Sequence, residues 1–147
     1  MAVDLNGYIT VPERRPVQPA FRHVVTHVVN ALSRDFAGLI HSLYVYSSVA
    51  EGRGRIGASD LDITVIYWTE PDPVTSARLS AARRGLERRH SVVSKIDFDC
   101  GLLRQVLHPD NIFSWGYWLR HHCVCVYGED LSQRFAPFNR QKPSLSP

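Results

Sequence analysis

The sequence has little sulfur and no long apolar run, and both absences narrow what it can be. Three cysteines, Cys100, Cys123 and Cys125, stand in 147 residues. An odd, low count does not build a disulfide framework and fits a reducing compartment, so a cytoplasmic protein is expected. The N-terminus reads Met-Ala-Val-Asp-Leu-Asn-Gly-Tyr, without the basic start and apolar stretch of a signal peptide. No segment approaches the ~18 apolar residues of a membrane span. Internal repeats are also missing. The formal charge is only +3, compatible with anionic substrates but too small to announce nucleic-acid binding. Neither a membrane nor nucleic acid is therefore expected as a partner.

What is present suits one globular domain. The chain is 44% hydrophobic and 21% charged, and its length buries a useful core. Residues 1–18 hold Pro12 and Pro16 and read as an irregular lead-in. Phe21, Val24, Val25, Val28, Leu32 and Phe36 recur every three or four residues, which predicts a helix over 19–36 ended by Gly38. Residues 40–46 and 61–68 read as strands, the second buried on both faces. Pro71 and Pro73 end it. Asp72 or Thr75 would cap a helix over 74–90. Residues 91–100 read as a third strand, 101–107 as one or two helical turns, 108–111 as a turn and 112–121 as an aromatic-rich helix. A short strand over 123–127 ends at Gly128. Residues 135–147 read as a loose tail. The order predicts an α/β or α+β domain over 19–134, a single sheet with helices packed against it.

The chemistry concentrates in residues 43–66. An apolar run leads into Ser47 and Ser48, a basic glycine-rich loop follows, and Asp60 and Asp62 open a second apolar run. Alternate residues of a strand share a face, so the two carboxylates point together, beside the loop. A pair of this kind binds hard cations such as Mg²⁺, and a glycine-rich turn offers backbone N–H groups to phosphate. Asp62, between Leu61 and Ile63, is costly without a cation partner. Asp97 and Asp99 repeat the pattern in the third strand. One of them would add a third carboxylate, enough for two metals or for a base that takes a proton from an attacking hydroxyl.

These residues resemble the signature of the polymerase-beta-like nucleotidyltransferase superfamily: an apolar residue, Gly, Gly or Ser, a spacer of roughly ten, then Asp, apolar, acid, apolar. Ser47-Ser48 stand at the Gly-Ser place, eleven residues separate Ser48 from Asp60, and Asp60-Leu61-Asp62-Ile63 completes the motif, with Ser59 fitting before it. Asp97 fits the family's more distant third acid. Val124 to Leu131 is similar to the strand and Gly-acidic turn that close the domain in the small bacterial branch of aminoglycoside adenylyltransferases and minimal nucleotidyltransferases paired with toxins. The resemblance spans residues 20–131. It implies a nucleotidyltransferase fold with one mixed β-sheet, and Mg²⁺, in two sites, on Asp60, Asp62 and Asp97. It also implies Ser47 and Ser48 at the triphosphate of ATP or another NTP. Arg53 and Arg55 either contact that triphosphate or stand solvated. The implied reaction moves NMP, with AMP from ATP as the first expectation, to a hydroxyl of a small molecule or protein. Two departures accompany the match. Ser47 replaces the usual glycine, which allows a degenerate, non-catalytic binding module. Larger members also carry a helical domain after the closing strand, so the expectation here is either a minimal member or an acceptor side supplied by a second copy or a helical protein partner.

Other constellations read more plainly. His23 and His27, at i, i+4, are the polar flank of the first helix. His121 to Cys125 reads as core packing. Arg83, Arg84, Arg88 and Arg89 form a solvated basic face. Phe113, Trp115, Tyr117 and Trp118 are core, a contact surface or an acceptor pocket.

Overall fold

A computed structural model describes residues 17–135; most of the lead-in and nearly all of the tail lie outside the described residues. The fold is α+β: four strands in one mixed sheet with helices on both faces. Helix α1 (Pro19–Asp35) starts with proline in its first turn, where a missing N–H is harmless. Its stripe of Phe21, Val24, Val25, Val28 and Leu32 is buried. Strand β1 (Ile40–Tyr46) runs into a one-turn helix, α2 (Ser47–Ala50), and β2 (Leu61–Tyr67) returns antiparallel to β1. Helix α3 (Pro73–Arg89) follows, capped by Asp72, which accepts from the Thr75 N–H at 2.7 Å. It carries the chain over to β3 (Ile96–Leu102), parallel to β2, because parallel neighbours need a crossover.

The second half is more irregular. Helix α4 (Leu103–Val106) and a 3₁₀ turn over Pro109–Asn111 lead to one π-helical turn, Ile112–Gly116. Helix α5 (Tyr117–His122) and strand β4 (Cys123–Gly128) follow, then a 3₁₀ turn over Leu131–Arg134. The sheet order is β3-β2-β1-β4, with β4 antiparallel to β1. The predicted strand over 91–100 is corrected: residues 91–94 are turn and bend, and β3 starts at Ile96. Val92 and Val93 look strand-like because Val93 is buried, yet it reaches the core from a turn closed by its own N–H on the His90 carbonyl. The helix predicted over 112–121 divides into the π turn and α5.

Strand alternation sorts the core into two faces. Leu43, Val45, Leu61, Ile63, Val65, Ile96 and Leu102 pack with α1 and α3. Tyr44, Ile66, Val106, Leu119, Cys123 and Leu131 form the opposite cluster, with Tyr46, Trp115 and Trp118 at its edge. Asp62 shares parity with Ile66, so it belongs to this second face. The aromatic segment covers that face only in part and leaves its acidic end open.

Two side chains join α3 to the first residue of β3. Arg83 donates to the Ile96 carbonyl at 2.9 Å and Glu87 accepts from the Ile96 N–H at 2.9 Å. Arg83 also pairs with Glu87 at 3.4 Å. The basic face is thus solvated at Arg84, Arg88 and Arg89, but Arg83 belongs to the packing.

Candidate functional site

The site follows from register. Asp62 on β2 lies opposite Asp97 on β3, and the pairing is parallel, so both carboxylates project from one face. Asp60 stands two residues before Asp62, and Lys95 two before Asp97, just ahead of the two strands. The Leu61 N–H on the Lys95 carbonyl, 2.9 Å, holds these entrances together. Carboxylate oxygens of Asp60, Asp62 and Asp97 lie within 4.8 Å of one another, all half-buried. Asp99 is next along the face, opposite Thr64, and outside that trio. The structure therefore brings Asp97, not Asp99, to the pair.

Three like charges this close repel. Asp62 shows it: its carboxyl is raised above the ordinary value by burial first, then by Asp60 and Asp97, while a hydrogen bond from Ser47 and the charge of Lys95 work the other way. Lys95 supplies the local countercharge. Its ammonium is 3.4 Å from Asp97 Oδ2 and 3.8 Å from Asp60 Oδ2, and these neighbours, Asp97 foremost, raise its pKa. Three oxygen donors and a carboxyl short of positive charge fit a hard divalent cation such as Mg²⁺. Lys95 was not singled out by sequence reasoning. The signal was there, because Lys95 shares strand parity with Asp97 and Asp99.

Tyr46 and Ser47 form the second wall. Tyr46 closes β1 opposite Asp62. Its hydroxyl donates to Asp99 Oδ2 at 3.5 Å, and burial followed by Asp99, Asp62 and Asp97 raises its pKa. Ser47 has φ +70°, and no other non-glycine residue among those described has positive φ. The backbone here needs the left-handed conformation that glycine adopts freely, and a serine holds it at a cost of about 1–2 kcal/mol. The serine in turn supplies the hydroxyl that reaches Asp62.

The glycine-rich loop differs from expectation. Its amides are engaged within the protein: those of Glu51, Gly52 and Arg53 on carbonyls of α2, and those of Gly57, Ala58 and Ser59 on carbonyls of Val92 and Arg55. The Gly54 N–H goes to Gln18 Oε1 at 2.7 Å, and Gly54 packs so closely on Phe21 that a Cβ would stand 2.6 Å from its ring. The Arg55 N–H goes to Ser59 Oγ at 2.8 Å. Ser59 is thus a staple of the loop, and these eight amides do not form an open phosphate cradle. Arg53 pairs with Glu51 on the surface. Arg55 is exposed, and Ser48 is half-buried in the single turn of α2. Lys95 is the cation that pairs with the triad, while Arg53 and Arg55 stand on the loop between α2 and β2.

Beside the triad, Asp99, Ser114, Trp115 and Trp118 line a cleft of about 270 Å³. Trp118 donates to Thr64 Oγ1 at 3.2 Å and meets the Tyr46 ring edge to face at 4.8 Å. Trp115 packs against Gly101, where a Cβ would come within 2.5 Å of the indole. No family model matches the sequence, and no curated protein matches it. Among the described residues no helix is long and apolar enough to cross a membrane.

Proposed function

We propose that this protein is an Mg²⁺-dependent nucleotidyltransferase that moves NMP, in the first instance AMP from ATP, to a hydroxyl group and releases pyrophosphate. The observation that carries the reading is the convergence of Asp60, Asp62 and Asp97 from two parallel strands to within 4.8 Å, joined to the serine-loop-Asp-x-Asp pattern. Asp60 and Asp62 would hold the ion with Asp97. The ion would supply positive charge at the triphosphate and lower the pKa of the attacking hydroxyl.

The chain's own residues would do the rest. Arg53, Arg55 and Lys95 bring cationic groups to the side where a triphosphate would lie. Ser47 orients Asp62 through its hydroxyl. The acceptor hydroxyl would enter from the aromatic cleft, along the face carrying Asp99 and Tyr46. Its oxygen attacks the α-phosphorus as the bond to the bridging oxygen breaks, and pyrophosphate leaves. A carboxylate oxygen of Asp97 not taken by the ion would accept the hydroxyl proton. Pyrophosphate release from ATP and Mg²⁺ with a panel of hydroxyl acceptors tests the reading. Asp62→Asn should abolish it with the fold intact; full activity in that variant would sink the assignment.

Two observations favour a second reading. Lys95 already occupies the space between Asp60 and Asp97, and Ser47 holds a strained backbone, as in a domain that binds a nucleotide or a partner protein without turnover. Calorimetry with ATP and Mg²⁺ separates the two: heat of binding without pyrophosphate release supports the binding module.

A further inference from the structure

Away from the carboxylate face, three imidazoles meet. His23 and His27 lie one turn apart on α1 and share a face. The fold brings His90, which follows the last residue of α3, against them. His27 Nδ1 and His90 Nε2 are 2.6 Å apart across 63 residues of sequence. Ring centroids are 4.9 Å apart for His27 and His90, 5.4 Å for His23 and His90, and 6.3 Å for His23 and His27. His90 is buried, His27 half-buried and His23 exposed.

We propose that His23, His27 and His90 form a site for a transition-metal ion of the Zn²⁺ class, with a fourth position open to solvent. A zinc–nitrogen bond is about 2.0–2.1 Å, which puts ring centroids in a tetrahedral site about 5.2 Å apart. The three observed spacings bracket that value. Among the described residues only the aspartates already bring three donor atoms within 4.8 Å, so the histidine set closes by a turn of the exposed His23 ring. The His27–His90 contact opens to about 3.3 Å between nitrogens as the ion enters. The hydrogen they share moves to a far ring nitrogen, and a neutral pair loses no net proton.

Charge state and donor chemistry agree with the geometry. Burial, and then His27, His23 and Arg89, hold His90 below its ordinary pKa, the direction that favours the neutral imidazole a metal takes. Imidazoles select Zn²⁺, Cu²⁺ and Ni²⁺, whereas the aspartate triad suits Mg²⁺. The two sites therefore take different ions. An ion here would tie α1 to the start of the 90–95 connector. That connector bonds the glycine loop through Val92 and Ser94 and ends at Lys95.

The test titrates the full chain, carrying Asp62→Asn to disable the carboxylate site, with Zn²⁺ by calorimetry and with Co²⁺ by visible absorption. The expected result is one equivalent bound, with the intense d–d bands of a four-coordinate, nitrogen-ligated Co²⁺. His23→Gln, at an exposed position, keeps the melting temperature of the metal-free chain. It should weaken Zn²⁺ binding by more than about 10-fold, since even lost outer-shell partners cost 10–100-fold, and His27→Gln should do the same. Unchanged Zn²⁺ affinity in both variants would overturn the proposal, as would a parent chain that binds no Zn²⁺ at about 100 micromolar metal.

Discussion

Replacing Asp62 by asparagine separates the function of the triad from its effect on stability. Two unit charges 4.8 Å apart, the outer limit of the carboxylate spacing, repel by about 0.9 kcal/mol in a water-like dielectric. Asp62 faces two such neighbours. Salt, and the half-exposed position of the group, reduce the sum to about 1 kcal/mol. Asp62→Asn removes that repulsion and keeps an oxygen for the Ser47 hydroxyl. In EDTA the variant should therefore be more stable, with a melting temperature about 3 °C higher. Divalent ions reverse the order. Magnesium at ten times its dissociation constant stabilises the parent by about 1.4 kcal/mol and should leave the variant unmoved. Differential scanning calorimetry with EDTA and then with Mg²⁺ reads both arms. A variant less stable than the parent in EDTA would refute the electrostatic reasoning. Equal Mg²⁺ shifts in both proteins would refute the metal assignment.

Three further outcomes follow from single contacts. Lys95→Met removes the ammonium between Asp60 and Asp97; Mg²⁺ affinity by calorimetry should rise several-fold, because the ion no longer competes with a fixed cation, and weaker binding would show that Lys95 helps to assemble the site. Ser47→Gly relieves the left-handed backbone and should leave stability within about 1 kcal/mol of the parent in urea unfolding, whereas Ser47→Val, β-branched at φ +70°, should lose about 2 kcal/mol or more; the reverse order would contradict the strain. Buried His121 has its pKa pushed down to about 4 by burial first and then by Arg120 and His122. The unfolded chain therefore binds the extra proton from pH 6.5 down to about 4, stability falls across that window by about 2–3 kcal/mol, and it is fully present above 6.5. His121→Asn should flatten that slope in pH-dependent thermal melts.

Much of the scaffold was legible because its periodicities are strong. The stripe on α1 and the unbroken apolar run of β2 each leave one packing solution, and the ends of α1, β1, β2 and α3 fall within a residue of expectation. The pairing of Asp60 with Asp62 needed only strand alternation. Asp97 needed more, because the choice between it and Asp99 depends on the register of β3 against β2, a long-range fact. The start of β3 was misplaced because the apolar valines before it serve a turn rather than a ladder. The π turn over 112–116 was not legible either. It lets Gly116 pack on Phe135, where a Cβ would come within 2.9 Å of the ring. The loop glycines suggested a phosphate cradle, but Gln18, Val92 and Ser59 engage their surroundings, and nothing in local sequence announces those partners. His90 joined His23 and His27 only through the packing of α3 against α1.

The central claim is that Asp60, Asp62 and Asp97 hold a divalent ion against a nucleotide triphosphate. The most direct measurement is a crystal structure of the protein with Mn²⁺ and a non-hydrolysable ATP analogue, read by anomalous scattering. The account predicts a manganese peak bonded to oxygens of Asp60, Asp62 and Asp97, with Lys95 displaced from between the carboxylates and the triphosphate on the side of Arg53 and Arg55. Nucleotide bound elsewhere, or Lys95 still seated on Asp97 with no peak at the triad, would contradict it.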